Sequence, residues 1–86
     1  MEDYKIVALY WKKDESAISE TSHKYGAYCF AIADNILHNK EDSEECVNDA
    51  YLGAWNTIPP QKPNPLKTYV CRITRNIAIT KYHSNT

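Results

Sequence analysis

Helix breakers are almost absent from this sequence outside one short stretch. It has only two glycines, Gly26 and Gly53, and its four prolines, Pro59, Pro60, Pro63 and Pro65, crowd together. Inside a helix, glycine costs about 1 kcal/mol relative to alanine and proline about 3 kcal/mol. Long segments free of both therefore favour helix. The apolar–polar alternation of a half-buried strand is absent over any useful length. The chain is predicted to be all-α, a compact bundle of three to four helices.

A short first helix is expected over Tyr4 to Lys12. Asp14 is a good N-cap for the next, because its side chain can accept from free backbone N–H groups. In that second helix Ile18, Tyr25, Cys29, Ile32, Ala33, Ile36 and Leu37 recur at steps of three and four and mark one face, with Gly26 as an interruption. His38, Asn39 and Lys40 read as a connection. A third helix is expected from Glu41 or Asp42, with acidic residues in the first turn where the helix dipole favours them. Its inner face is Cys46, Val47, Ala50, Tyr51, Ala54, Trp55 and Ile58; the other face carries Glu41, Glu45, Asn48, Asp49, Leu52 and Asn56. The proline stretch cannot be helical. Asn64-Pro65 restarts a helix, with Asn as cap and Pro in the first position. Its inner stripe is Leu66, Tyr69, Val70, Ile73 and Ile77, with Lys67, Arg72, Arg75, Asn76 and Lys81 off it.

Charge is distributed unevenly. All 11 acidic residues lie at or before Asp49, whereas Lys62, Lys67, Arg72, Arg75 and Lys81 follow it. Such segregation suggests two surfaces with different partners: phosphates for the basic end, a basic protein for the acidic middle. Cys29, Cys46 and Cys71 are odd in number and show no CxxC pairing, which fits reduced, buried thiols better than a disulfide framework. The polar start Met1 to Lys5 does not read as a signal peptide, and no apolar run approaches the roughly 20 residues of a membrane span. A cytoplasmic protein without membrane contact is expected.

The residue types for catalysis are not grouped. His23, His38 and His83 are far apart, and no HExxH or Cys/His cluster suggests a metal. There is no glycine-rich phosphate loop and no nucleophile motif. No catalytic residue, cofactor or metal is expected.

Two segments carry a family resemblance. Asp42 to Trp55, DSEECVNDAYLGAW, resembles the sigma factor signature in which an Asp-Ala-Glu-Asp-type start precedes Val-Gln-Glu, an aromatic-Leu pair and a Trp. Pro65 to Ala78, PLKTYVCRITRNIA, resembles the sigma pattern Phe-Arg-Ala-Trp-Leu followed by Arg-Ile-Ala-Arg-Asn. Upstream, His23-Lys24-Tyr25-Gly26 resembles the family's Tyr-Gly opening. Each motif alone is weak; their order and spacing together resemble region 2 of sigma-70 factors, of the extracytoplasmic-function type, over about residues 14 to 82.

The resemblance implies a transcription initiation domain occupying residues 1–86. Its third helix would dock on the beta-prime clamp helices of the RNA polymerase core through Glu45, Asn48, Asp49 and Leu52. The loop from Ile58 to Asn64 and the last helix would hold the non-template strand of the −10 promoter element. In this family type the loop forms a pocket for a flipped base, with Gln61 and Asn64 as hydrogen-bonding candidates and Lys62 near a phosphate. Arg72, Arg75 and Asn76 would grip the strand backbone, and Lys67 and Lys81 would extend the track. Asn64 is equally well read as a helix cap, and Tyr69 as core rather than as a stacking surface. An anti-sigma factor is a further partner of such domains.

The chain departs from the family pattern in four ways. Asn48-Asp49 replaces the common Gln-Glu, each one methylene shorter. Tyr69 stands for the usual Trp. Arg72 and Ile73 occupy the positions of the adjacent tryptophans that wedge duplex open in primary sigma factors, which implies weaker melting. The region 4 that reads the −35 element is absent, so the chain is either an excised domain or a truncated relative. Two other readings stay open: a sigma-like interaction or regulatory adaptor without promoter activity, and an unrelated helical duplex-DNA binder.

Overall fold

A computed structural model describes residues 1–84; the expected domain limit at Thr86 lies outside them. Four helices follow one another: α1 (Asp3–Trp11), α2 (Ser16–Leu37), α3 (Lys40–Thr57) and α4 (Leu66–Ser84). The all-α expectation holds. Contacts fix the packing directions. Thr57 meets Tyr69, Gly53 meets Ile73, and Glu45 meets Lys81, so α3 and α4 run antiparallel. Gly26 meets Tyr51 and Asp34 meets Ser43, so α2 and α3 are antiparallel as well. That leaves α2 and α4 parallel, with α1 packed across α2.

Local chemistry sets the ends. Asn39, expected in the connection, is the N-cap of α3: its side chain accepts from the Asp42 N–H at 2.9 Å. His38 takes the left-handed conformation, φ 51°. The connection thus shrinks to His38 and Asn39, and Lys40 is already helical. Asp14 accepts from the N–H and the hydroxyl of Ser16 at 2.9 and 2.8 Å and steadies the start of α2 from two residues upstream. The last helix begins one residue later than expected. Pro65 precedes it and its carbonyl accepts from the Tyr69 N–H at 3.4 Å. Among the described residues the Asn64 side chain makes no capping bond; the Leu66 backbone N–H, at the start of the helix, helps to lower the pKa of the Asp3 carboxylate.

The core is one cluster drawn from all four helices, with Ile6, Tyr10, Ala17, Cys29, Ala33, Cys46, Ala50, Ala54, Ile58, Leu66, Val70 and Ala78 all fully buried. On α4 the innermost row is Leu66, Val70, Thr74 and Ala78, an i, i+4 row. The expected Tyr69, Ile73 and Ile77 are half-buried beside it. Thr74 tolerates burial because its hydroxyl donates to the Val70 carbonyl at 2.8 Å, which satisfies the polar group within its own helix. Thr21 is buried likewise, bonded to the Tyr10 hydroxyl at 2.7 Å and the Ala17 carbonyl at 2.8 Å. Gly26 does not interrupt α2. A Cβ there would lie 3.1 Å from the Tyr51 hydroxyl oxygen, so its absence lets α2 and α3 close up.

Candidate functional site

The outer face of α3 is as the sequence predicts. Glu45, Asn48, Asp49 and Leu52 are all exposed, at steps of three and four along one line, and Leu52 keeps 54% of its surface open. Asn48 also borders a groove between α2 and α3 lined by Ser22, Gly26, Ala27, Phe30, Val47 and Tyr51. The α2 wall of this groove was not legible from the sequence, because Phe30 read simply as part of a helix.

The basic residues separate into three groups. Arg72 and Arg75 are exposed and, among the described residues, form no ion pair. Lys67 lies over the Tyr28 ring, 3.9 Å from its centroid. Lys81, expected to extend the track, is engaged with the start of α3. It pairs with Glu45 at 3.1 Å and Asp42 at 3.9 Å, and these partners hold its pKa above the ordinary lysine value. The antiparallel packing causes this, since it lays the end of α4 beside the acidic start of α3. Asn76 turns the same way and shares a shallow groove with Asp49, Ile77, Thr80 and Lys81.

The proline loop sits against α1. The Trp11 indole N–H donates to the Gln61 carbonyl at 3.1 Å, and the Lys62 ammonium lies 5.1 Å from the Trp11 ring centroid. Between them runs a groove of about 840 Å³, walled by Tyr4, Val7, Ala8 and Trp11 on one side and by Lys62, Pro63 and Asn64 on the other, with Asp3 and Lys12 at its rim. The Asn64 amide is exposed there and, among the described residues, has no partner. The α1 wall was invisible in the sequence, since Trp11 and Gln61 are 50 residues apart.

Asp3 holds this corner in place. It accepts from Lys24 at 2.7 Å and from the Tyr25 hydroxyl at 2.7 and 2.9 Å. Burial alone would raise its pKa, but these hydrogen bonds, the Lys24 charge and the Leu66 N–H outweigh that and hold it below 3.8. The thiols are not poised for chemistry. Burial first, then the Asp49 charge, pushes Cys46 up to about 11; burial and then the adjacent Cys29 push Cys71 up to about 11. Thiols so shifted are poor nucleophiles at neutral pH. Among the described residues no group of His, Cys, Asp and Glu side chains is placed to hold a metal, and no helix is long and apolar enough to cross a membrane.

Fold and surfaces define a small helical binding module with an acidic face on one helix and free cations on the next. The profile of the sigma-70 region 2 family matches residues 23–86, and the chain belongs to the sigma-70 family as a region 2 domain. Comparisons with curated proteins and with solved structures return no match. Region 2 domains bind RNA polymerase and recognise the −10 promoter element, and are transcription factors rather than enzymes.

Proposed function

We propose that this is an extracytoplasmic-function type of region 2, working in the cytoplasm. It docks on the beta-prime clamp helices through Glu45, Asn48, Asp49 and Leu52. It holds the single-stranded −10 element with the proline loop and α4. The observation that carries this reading is that, among the described residues, Arg72 and Arg75 stand exposed on α4 without an ion pair, while Lys81 of the same helix is paired with the carboxylates of α3. Unpaired cations on a helix suit the phosphates of a strand, whose counterions they release. An exposed carboxylate line with Leu52 suits basic clamp helices, where complementary charge sets encounter rate and register.

The groove between α1 and the proline loop supports the base-pocket part. An unpaired base is held by stacking and read on its hydrogen-bonding edge. Trp11 and Tyr4 supply aromatic surface, the free Asn64 amide supplies donor and acceptor, and Lys62 supplies a cation. Gln61 contributes its side chain at the loop surface while its carbonyl is held by Trp11. Asn76 and Lys81 contribute less to strand binding than the sequence suggests, since both face the acidic side. An anti-sigma factor would compete with polymerase for the α3 face.

Two variants test the two halves. Glu45→Lys with Asp49→Lys should abolish pull-down by the clamp helices; undiminished capture refutes the docking face. Arg72→Ala with Arg75→Ala should flatten the salt dependence of single-stranded −10 binding by about 1.4 in log–log slope, for two lost phosphate contacts. An unchanged slope removes both residues from the site. Polymerase binding without any −10 preference would favour the adaptor reading.

A further inference from the structure

Tyr28 is a large aromatic side chain on α2 that the fold leaves open. It keeps 53% of its surface exposed, and among the described residues its hydroxyl has no hydrogen-bond partner. It is not loose. The Tyr25 ring braces it at 6.5 Å between centroids, tilted 55°, and the Lys67 ammonium rests 3.9 Å from its ring centre. A lone exposed aromatic is unremarkable on a protein surface. This one differs in what surrounds it.

Because α2 and α4 run parallel, Tyr28 stands at their seam, beside the N-terminal turns of α4. Lys67 and Arg75 occupy the neighbouring flank of α4, about 12 Å apart along the helix axis, within the span of a few nucleotides. Among the described residues neither forms an ion pair. The Asp3 carboxylate, bonded to the neighbouring Tyr25, is already matched by Lys24 at 2.7 Å. The seam thus combines a half-exposed aromatic ring, a lysine resting on it and a second exposed cation.

We propose that Tyr28 and Lys67 form a nucleobase-stacking station that carries the single-strand track from α4 onto α2. This rests on the single-strand reading above. The exposed lysine–ring contact is the weaker interaction, and a stacked base is the stronger one. A base laid on Tyr28 displaces the ammonium, which is then free to meet the phosphate next to that base. Every base has a π-face, so the station is tolerant of sequence; the loop groove is where a base edge would be read.

The test is binding of a fluorescein-labelled single-stranded −10 oligonucleotide, followed by anisotropy across a salt series. Tyr28→Ala should weaken binding about tenfold, with the salt slope unchanged because no charge is lost. Tyr28→Phe should bind like the parent. Lys67→Met should lower the slope by about 0.7, one phosphate contact on a single strand. Tyr28 is exposed, so thermal melts of all three variants should match the parent closely. If Tyr28→Ala binds like the parent while Arg72→Ala with Arg75→Ala still flattens the slope, the station is refuted and the strand reading stands. If the parent shows no single-strand binding, both fall.

Discussion

A single carboxylate, Asp3, joins three helices. It lies on α1, accepts from Lys24 and Tyr25 of α2, and is stabilised as a carboxylate by the first backbone N–H of α4 as well. A helix start favours a nearby negative charge, and here a carboxylate distant in sequence supplies it, while the Asn64 amide has no partner among the described residues. Asp3→Asn should cost about 1.5–3 kcal/mol at pH 7, the range for hydrogen bonds to a charged group. The sign of its pH dependence follows from the lowered pKa. The stabilisation is present above about pH 4 and fades as pH falls through the lower native value. The gap between parent and variant in urea unfolding should therefore narrow below about pH 4; a constant gap would mean that charge plays no part. Tyr10 and Thr21 show the same economy, two polar groups buried at the centre and satisfied by each other at 2.7 Å.

Among the elements, the pairing of α3 with α4 matters most. Antiparallel packing sets Lys81 against Glu45 and Asp42, whereas Lys67, Arg72 and Arg75, also exposed on α4, form no ion pair among the described residues. Glu45 is itself 62% exposed, so the pair is worth little. Lys81→Met should change stability little, and less still in high salt. It should also free Glu45, so clamp-helix capture at low salt should strengthen. Weaker capture would show that Lys81 positions Glu45 rather than competing for it. On α2, the contact between Gly26 and Tyr51 shows why glycine is tolerated mid-helix: closeness to α3 offsets its poor propensity.

For the molecule as a whole, α1 is the element whose importance the family match does not convey, because the match begins at residue 23. Yet Ile6 and Tyr10 are fully buried, and α1 forms one wall of the loop groove. Large buried side chains contribute a few kcal/mol each when removed, against a total of about 5–15 kcal/mol for a small domain. A chain beginning at residue 14 should therefore lose at least half its unfolding free energy in urea; a two-state transition at the parent midpoint would show that α1 is dispensable. The sequence by itself determined the helices, their acidic and basic sides, and the motif order that marks the family. Those depend on propensity, dipole and periodicity, which act over a few residues. Only the tertiary structure decided that Lys81 pairs with the acids, that Asp3 lies by the start of α4, that α1 walls the loop groove, and that Tyr28 meets Lys67. Each is a contact between groups distant in sequence, set by the direction and rotation of packed helices. The rotation of α4 depended in turn on Thr74 and Ala78, small residues that no apolar stripe singles out.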